Sequence, residues 1–148
     1  MFPATLQHIL VPLDFSPFSE RALAAAITMA RPARARLTLL HAMLPADSEE
    51  ELGLMPAALI KRMEDDARQK LDAYAARAEK EGVTCAVEVR FRATAQAIVD
   101  AMTEGSPDLV VMGTHGRTGL EHVMLGSVTE RVLMQAPGPV LVVPARQP

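Results

Sequence analysis

The chain has 148 residues, 49% of them apolar and 22% charged, with a formal net charge of −3 and a single cysteine. That length supports one packed core but not two ordinary domains, so a single domain over 1–148 is expected. The weak negative charge does not favour nucleic acid or an anionic membrane as partner, and one cysteine excludes an intrachain disulfide and a cysteine-rich zinc site.

The N-terminal "MFPATLQHILVPLDF" lacks the basic start of a signal peptide. No run in the chain approaches the roughly 20 apolar residues of a membrane-spanning helix. With a lone cysteine suited to a reducing compartment, the expectation is a cytoplasmic protein without a membrane partner.

Within that opening, "HILVPL" (His8 to Leu13) is a near-continuous apolar run, the pattern of a strand buried on both faces. A helix is predicted next, with Ser16 as N-cap, Pro17 in the first turn, and Phe18, Ala22, Ala26, Ile27 and Ala30 on one side. "RLTLLHAM" (Arg36 to Met43) reads as a second strand. Pro45 to Pro56, acidic and then glycine-containing, reads as one long loop, its Glu49, Glu50 and Glu51 solvated.

A second helix is predicted over Pro56 to Glu81, with Leu59, Met63, Ala67, Leu71, Tyr74 and Ala78 at helical spacing and Gly82 as its stop. "TCAVEVRF" (Thr84 to Phe91) alternates more and suits an edge strand, with Cys85 buried and inert. A helix after Thr94 is expected to bury Ile98, Val99 and Met102 and to end at Gly105. "DLVVMG" (Asp108 to Gly113) and "PVLVVP" (Pro139 to Pro144) are again apolar throughout, separated by a last helix from Ser127 to about Gln135 that Pro137 cuts off.

Five strands alternating with helices predict an α/β fold. It is a single doubly wound parallel sheet of order 3-2-1-4-5, with right-handed crossovers and helices on both faces. In such sheets ligands bind beyond the carboxyl ends of the strands, where the winding reverses.

The stretch following the fourth predicted strand, "MGTHGRTGLEHVMLGSVTE", carries glycines at 113, 116, 119 and 126 and ends on Ser127. Free backbone amides and a helix N-terminus suit a phosphate. "SVTE" also has the form of a capping box, Ser127 to the N3 amide and Glu130 back to the cap, so Ser127 as a plain cap and glycines as plain turn formers remains open. A P-loop would need Gly-Lys-Ser/Thr and a Rossmann fingerprint would need glycines in "VPLDFSPFS"; neither is present.

The spacing Gly113-x2-Gly116-x9-Gly126-Ser127, framed by a strand and a helix, resembles the nucleotide-binding signature of the ATP-binding branch of the universal stress protein family. The likeness runs nearly the full length, through "HILVPLDFSPFSERAL", "LTLLHAM" and "DLVVMGTHGRTGLEHVMLGSVTERVLMQAPGPVLVV". It implies a Rossmann-like fold of the adenine nucleotide alpha hydrolase type. It also implies a stress-response module binding ATP with Mg²⁺ carried by the nucleotide.

Adenine would lie against Pro12, Leu13, Asp14 and Ala42. Ribose and phosphates would lie against Met112, Gly113, Thr114, Gly116, Gly126, Ser127, Val128 and Thr129. His115 and Arg117 would act as phosphate donors or as a solvent-exposed pair. Asp14 would contact the nucleotide or serve as an Asx-turn acceptor, and His41 and His122 are expected to be structural. Valine at Gly113 or Gly126 is expected to exclude nucleotide and leave the fold largely intact.

The resemblance also implies a homodimer through Val140 to Val143, since an apolar edge strand invites pairing with its copy. An unidentified protein partner would read the nucleotide state. One departure is Arg92, Ala93 and Thr94 where the family commonly has Gly-x-Pro, placed by the expected topology far from the winding reversal. The nine methionines would form a cofactor surface only if clustered; Met63 and Met102 stand at core spacing.

No residue offers a well-framed general base: Asp14 and His115 are the nearest candidates, and neither has an evident orienting partner. A binding protein with at most slow ATP hydrolysis or self-phosphorylation is therefore expected. The alternatives are a nucleotide-free dimeric scaffold of the same family, and an enzyme of the wider nucleotide-binding α/β group.

Overall fold

The computed structural model describes residues 4–44, 48–115 and 125–144. Its five strands are β1 (His8–Pro12), β2 (Arg36–Ala42), β3 (Cys85–Arg90), β4 (Leu109–Gly113) and β5 (Val140–Val143). All pairings are parallel and the order is β3-β2-β1-β4-β5, as the element order predicts. The helices are α1 (Pro17–Ala33), α2 (Glu49–Leu52), α3 (Ala57–Lys80), α4 (Thr94–Gly105) and α5 (Ser127–Gln135).

Alternation along the buried strands divides the interior in two. Ile9 and Val11 of β1, with Leu109 and Val111 of β4, pack under α1 and α3 against Leu23, Ile27 and Leu71. Leu10, Val110 and Met112 point to the opposite face and meet Ile98 and Met102 of α4 and Val132 of α5. Both faces of the central strands are thus covered, which is why their sequences are apolar at almost every position.

At the amino-terminal ends of the strands, Asp108 fixes β4 beside β1. Its Oδ2 accepts the backbone N–H groups of Gln7 at 2.8 Å and His8 at 2.9 Å, while its own amide donates to the His8 carbonyl.

The terminal signals of the longer helices act as read from sequence. The Ser16 side chain accepts the Ser19 amide at 3.2 Å with Pro17 opening α1, and Gly82 follows α3 with φ of +81°. Three local expectations are corrected. The long loop contains α2, started by Ser48, whose side chain accepts the Glu51 amide. The first half of α3 overhangs the sheet, so that Leu59 is 42% exposed and Met63 is only half-buried; Tyr74, in the second half, is also half-buried. Val99 is half-buried because α4 turns Ala95, Ala97, Ile98, Ala101 and Met102 inward instead. β5, apolar throughout, occupies the sheet edge as the strand order predicts, and Leu141 on it is 38% exposed.

Candidate functional site

The winding reverses between β1 and β4, and a cavity of about 570 Å³ opens there at the carboxyl ends of the strands. Its walls combine Pro12 at the end of β1 with Leu13 and Asp14 after it, Ala42 at the end of β2, Met112 and Gly113 of β4 with His115 just beyond, and Gly126, Ser127, Val128 and Thr129 at the start of α5. Eleven of the fourteen residues expected at the site therefore line one space. Thr114 is buried and does not join this lining, and Gly116 and Arg117 lie outside the described residues, as does His122.

Hydrogen bonds bring the two ends of the glycine-bearing segment together. The Gly126 amide donates to the Thr114 carbonyl at 2.6 Å, and the buried Thr129 hydroxyl donates to the Gly113 carbonyl at 2.8 Å. His115 contacts the Phe18 ring, with centroids 5.6 Å apart, and its Nδ1 stands 3.0 Å from the Thr114 hydroxyl.

The expected capping box does not form. Gly126 occupies the N-cap of α5 with no side-chain cap bond, and Ser127 is the exposed first residue of the helix. The shift by one position has a physical consequence: glycine has no side chain with which to bond the first-turn amides, and these keep their affinity for an anion.

Gly113 is also under a packing constraint that the sequence did not reveal. A Cβ built on it would stand 3.0 Å from the carbonyl oxygen and 3.1 Å from the carbonyl carbon of Phe18. A side chain here would press on the backbone of α1, which would have to give by a few tenths of an ångström, whatever occupies the cavity.

The opposite wall is held through β2. Leu13 donates its amide to the Leu40 carbonyl at 2.8 Å, and its own carbonyl lies 2.7 Å from His41 Nδ1. A carbonyl only accepts, so that nitrogen carries the proton. The buried His41 ring packs against Phe15, centroids 4.5 Å apart, and Phe15 has φ of +67°. His41 is structural in this sense, yet it also lines the cavity. Asp14 Oδ1 accepts the Ser16 amide at 3.0 Å, the Asx-type turn weighed from the sequence, while the residue also lines the cavity.

Sequence reasoning missed Ser19, Leu40, Met43, Leu44, Met63, Thr94 and Ile98, which complete the lining. Most read as ordinary core or helix positions, and nothing in their local pattern marks them. Thr94 overturns the expectation that the segment after β3 stays clear of the site. The crossover from edge strand β3 to central β4 carries α4 back across β2 and β1, which brings its first residue to the cavity.

Asp14 is the one carboxylate among these lining residues, and no lysine or arginine joins them. Among the described residues no group of three or more His, Cys, Asp or Glu side chains forms a metal cage. Cys85 lies elsewhere, half-buried on β3; burial, then the nearby Glu79 charge, pushes its thiol up to about 12, so it is not a nucleophile at neutral pH.

The sequence profile of the universal stress protein family matches residues 5–144. Universal stress protein MJ0531 of Methanocaldococcus jannaschii is 34% identical over 144 residues, covering 93% of this chain and 81% of that protein. Among solved structures, MJ0577 from the same archaeon superposes with a TM-score of 0.87 at 26% identity, over 98% of this chain and 100% of its own. A universal stress protein solved in complex with cAMP superposes with a TM-score of 0.74 at 26% identity, over 95% of this chain and 98% of its own.

Proposed function

The chain belongs to the universal stress protein family, and from that premise we propose that it is an ATP-binding stress-response module holding the nucleotide in the cavity between β1 and β4. The observation that carries this reading is the uncapped start of α5 facing a cavity of about 570 Å³, a size that suits a nucleotide-sized ligand. Pro12, Leu13, Asp14 and Ala42 would hold the base. Gly113, Gly126, Ser127 and Val128 would receive ribose and phosphates, the α5 amides supplying partial positive charge. Mg²⁺ would arrive on the phosphates, with Asp14 the nearest carboxylate. The cAMP-bound relative supports an adenine nucleotide as ligand class.

The module acts by binding, with at most slow hydrolysis or self-phosphorylation. His115, the imidazole at the phosphate end, packs on Phe18 and beside Thr114, an arrangement that positions a donor and does not frame a general base. The protein works as a cytoplasmic homodimer joined through β5, and a protein partner reads its nucleotide state.

Titration of the purified protein with labelled ATP and Mg²⁺ tests the reading. Saturable uptake below millimolar ATP supports it, and its absence rejects it. The nucleotide-free scaffold of the same family is the second reading, and one observation favours it: Phe18 alone accounts for Gly113.

A further inference from the structure

Three of the nine methionines, from three separate elements, line the same cavity: Met43 just after β2, Met63 on the overhanging part of α3, and Met112 on β4. They share that wall with Leu40, Leu44 and Ile98. Met112 is 5% exposed and belongs to the packed core, whereas Met43 and Met63 are half-buried. Core packing accounts for Met102, which is 4% exposed, whereas Met43 and Met63 are half-buried residues on the cavity wall.

We propose that Met43 and Met63 are an oxidation site that sets nucleotide affinity: a peroxide converts them to sulfoxides in the nucleotide-free protein, and the modified wall binds nucleotide weakly. The inference rests on the nucleotide reading above. In the step itself, a sulfur lone pair attacks one peroxide oxygen. The S–O bond forms as the O–O bond breaks, and the departing hydroxide takes the proton from the new S–OH group and leaves as water, so that the sulfoxide remains. The sulfur gives up two electrons and the peroxide receives them.

The product replaces a flexible apolar group by a polar, chiral one against Leu40, Leu44 and Ile98, and such a change disrupts an apolar surface. Bound nucleotide would cover the same wall and shield both sulfurs. Occupancy and oxidation therefore oppose each other, and reduction of the sulfoxides restores binding.

The test exposes the full chain to dilute hydrogen peroxide with and without ATP–Mg²⁺ and follows each methionine by peptide mass spectrometry. With ATP at about ten times its Kd, oxidation of Met43 and Met63 slows about tenfold, in proportion to the unoccupied fraction. Met134, 81% exposed in the protomer and not part of the cavity, keeps its rate.

After oxidation ATP affinity falls about tenfold or more, and treatment with a methionine sulfoxide reductase recovers it. In a Met43→Leu, Met63→Leu double variant, whatever its starting affinity, peroxide leaves ATP binding where it was. Equal oxidation rates with and without ATP, unchanged affinity after oxidation, or an equal loss in the double variant overturns the proposal while leaving nucleotide binding standing. No ATP uptake by the unoxidised protein removes both.

Discussion

Gly113 on β4 and the main chain of Phe18 on α1 are so close that a Cβ on the glycine would meet the Phe18 carbonyl oxygen at 3.0 Å. The contact involves backbone on both sides, so no side-chain rotation relieves it. It ties the strand that bears the glycine segment to the helix that leaves β1, across the line where the sheet reverses its winding.

Gly113→Ala is therefore expected to lower stability by about 1–3 kcal/mol through forced displacement of α1 from β4. Truncating Phe18 to alanine does not rescue it, because the colliding atoms are the carbonyl group and Cβ, which alanine retains. Chemical denaturation of the single and double variants checks this. An alanine variant as stable as the parent, with only ATP binding lost, would restore the simpler view of Gly113 as a ligand-clearance residue.

Thr129 is 3% exposed and its hydroxyl donates to the Gly113 carbonyl. Thr129→Val keeps the shape and removes the donor, leaving a buried acceptor unsatisfied at a cost of about 1–3 kcal/mol. Thr129→Ser keeps the bond and loses only a methyl group. Since the bond docks the start of α5 on β4, valine is also expected to weaken ATP binding more than serine does. Thermal melts and ATP titrations on both variants decide it, and indistinguishable variants would remove the hydroxyl from this role.

Tyr74 is the chain's only tyrosine and there is no tryptophan, so phenolate absorbance follows one group. Burial, and then the hydrogen bond from its hydroxyl to Glu20 Oε1 at 2.7 Å, push it up to about 12 from its ordinary value of 10.0. The folded value lies above the unfolded one. The interaction therefore stabilises the fold fully below the unfolded value and is lost as pH rises through about 12. Glu20→Gln should lower the folded value. A native titration coinciding with that of the urea-unfolded chain would contradict the contact.

Leu141 is 38% exposed on β5, while Leu133 on neighbouring α5 is 43% exposed and Met134 81%. An open parallel edge with apolar side chains beside it is a surface that association would cover. Leu141→Glu is expected to shift the protein toward monomer in sedimentation velocity with its circular dichroism unchanged. A parent protein that is monomeric at every concentration would end the dimer proposal.

Much of this was legible along the chain because the signals are local. Apolar runs such as "DLVVMG" report strands covered on both sides, helical spacing in α3 reports one covered face, and Ser16-Pro17 and Gly82 mark helix ends through hydrogen bonds spanning three or four residues. From the alternation of elements followed the sheet order, since handed crossovers leave few topologies, and with it the end of the sheet where a ligand belongs.

What only the tertiary structure decided depends on distances between residues far apart in sequence. Gly126, not Ser127, takes the cap position of α5, where Thr129 bonds the Gly113 carbonyl, and Gly113 lies against the main chain of Phe18, 95 positions earlier. Thr94 and Met63 reach the cavity because α4 crosses the sheet and α3 overhangs it, which no periodicity records. Backbone propensity and hydrophobic pattern act within a few residues and so determine elements and their faces; close packing acts through space and determines which of those faces become walls of the same site.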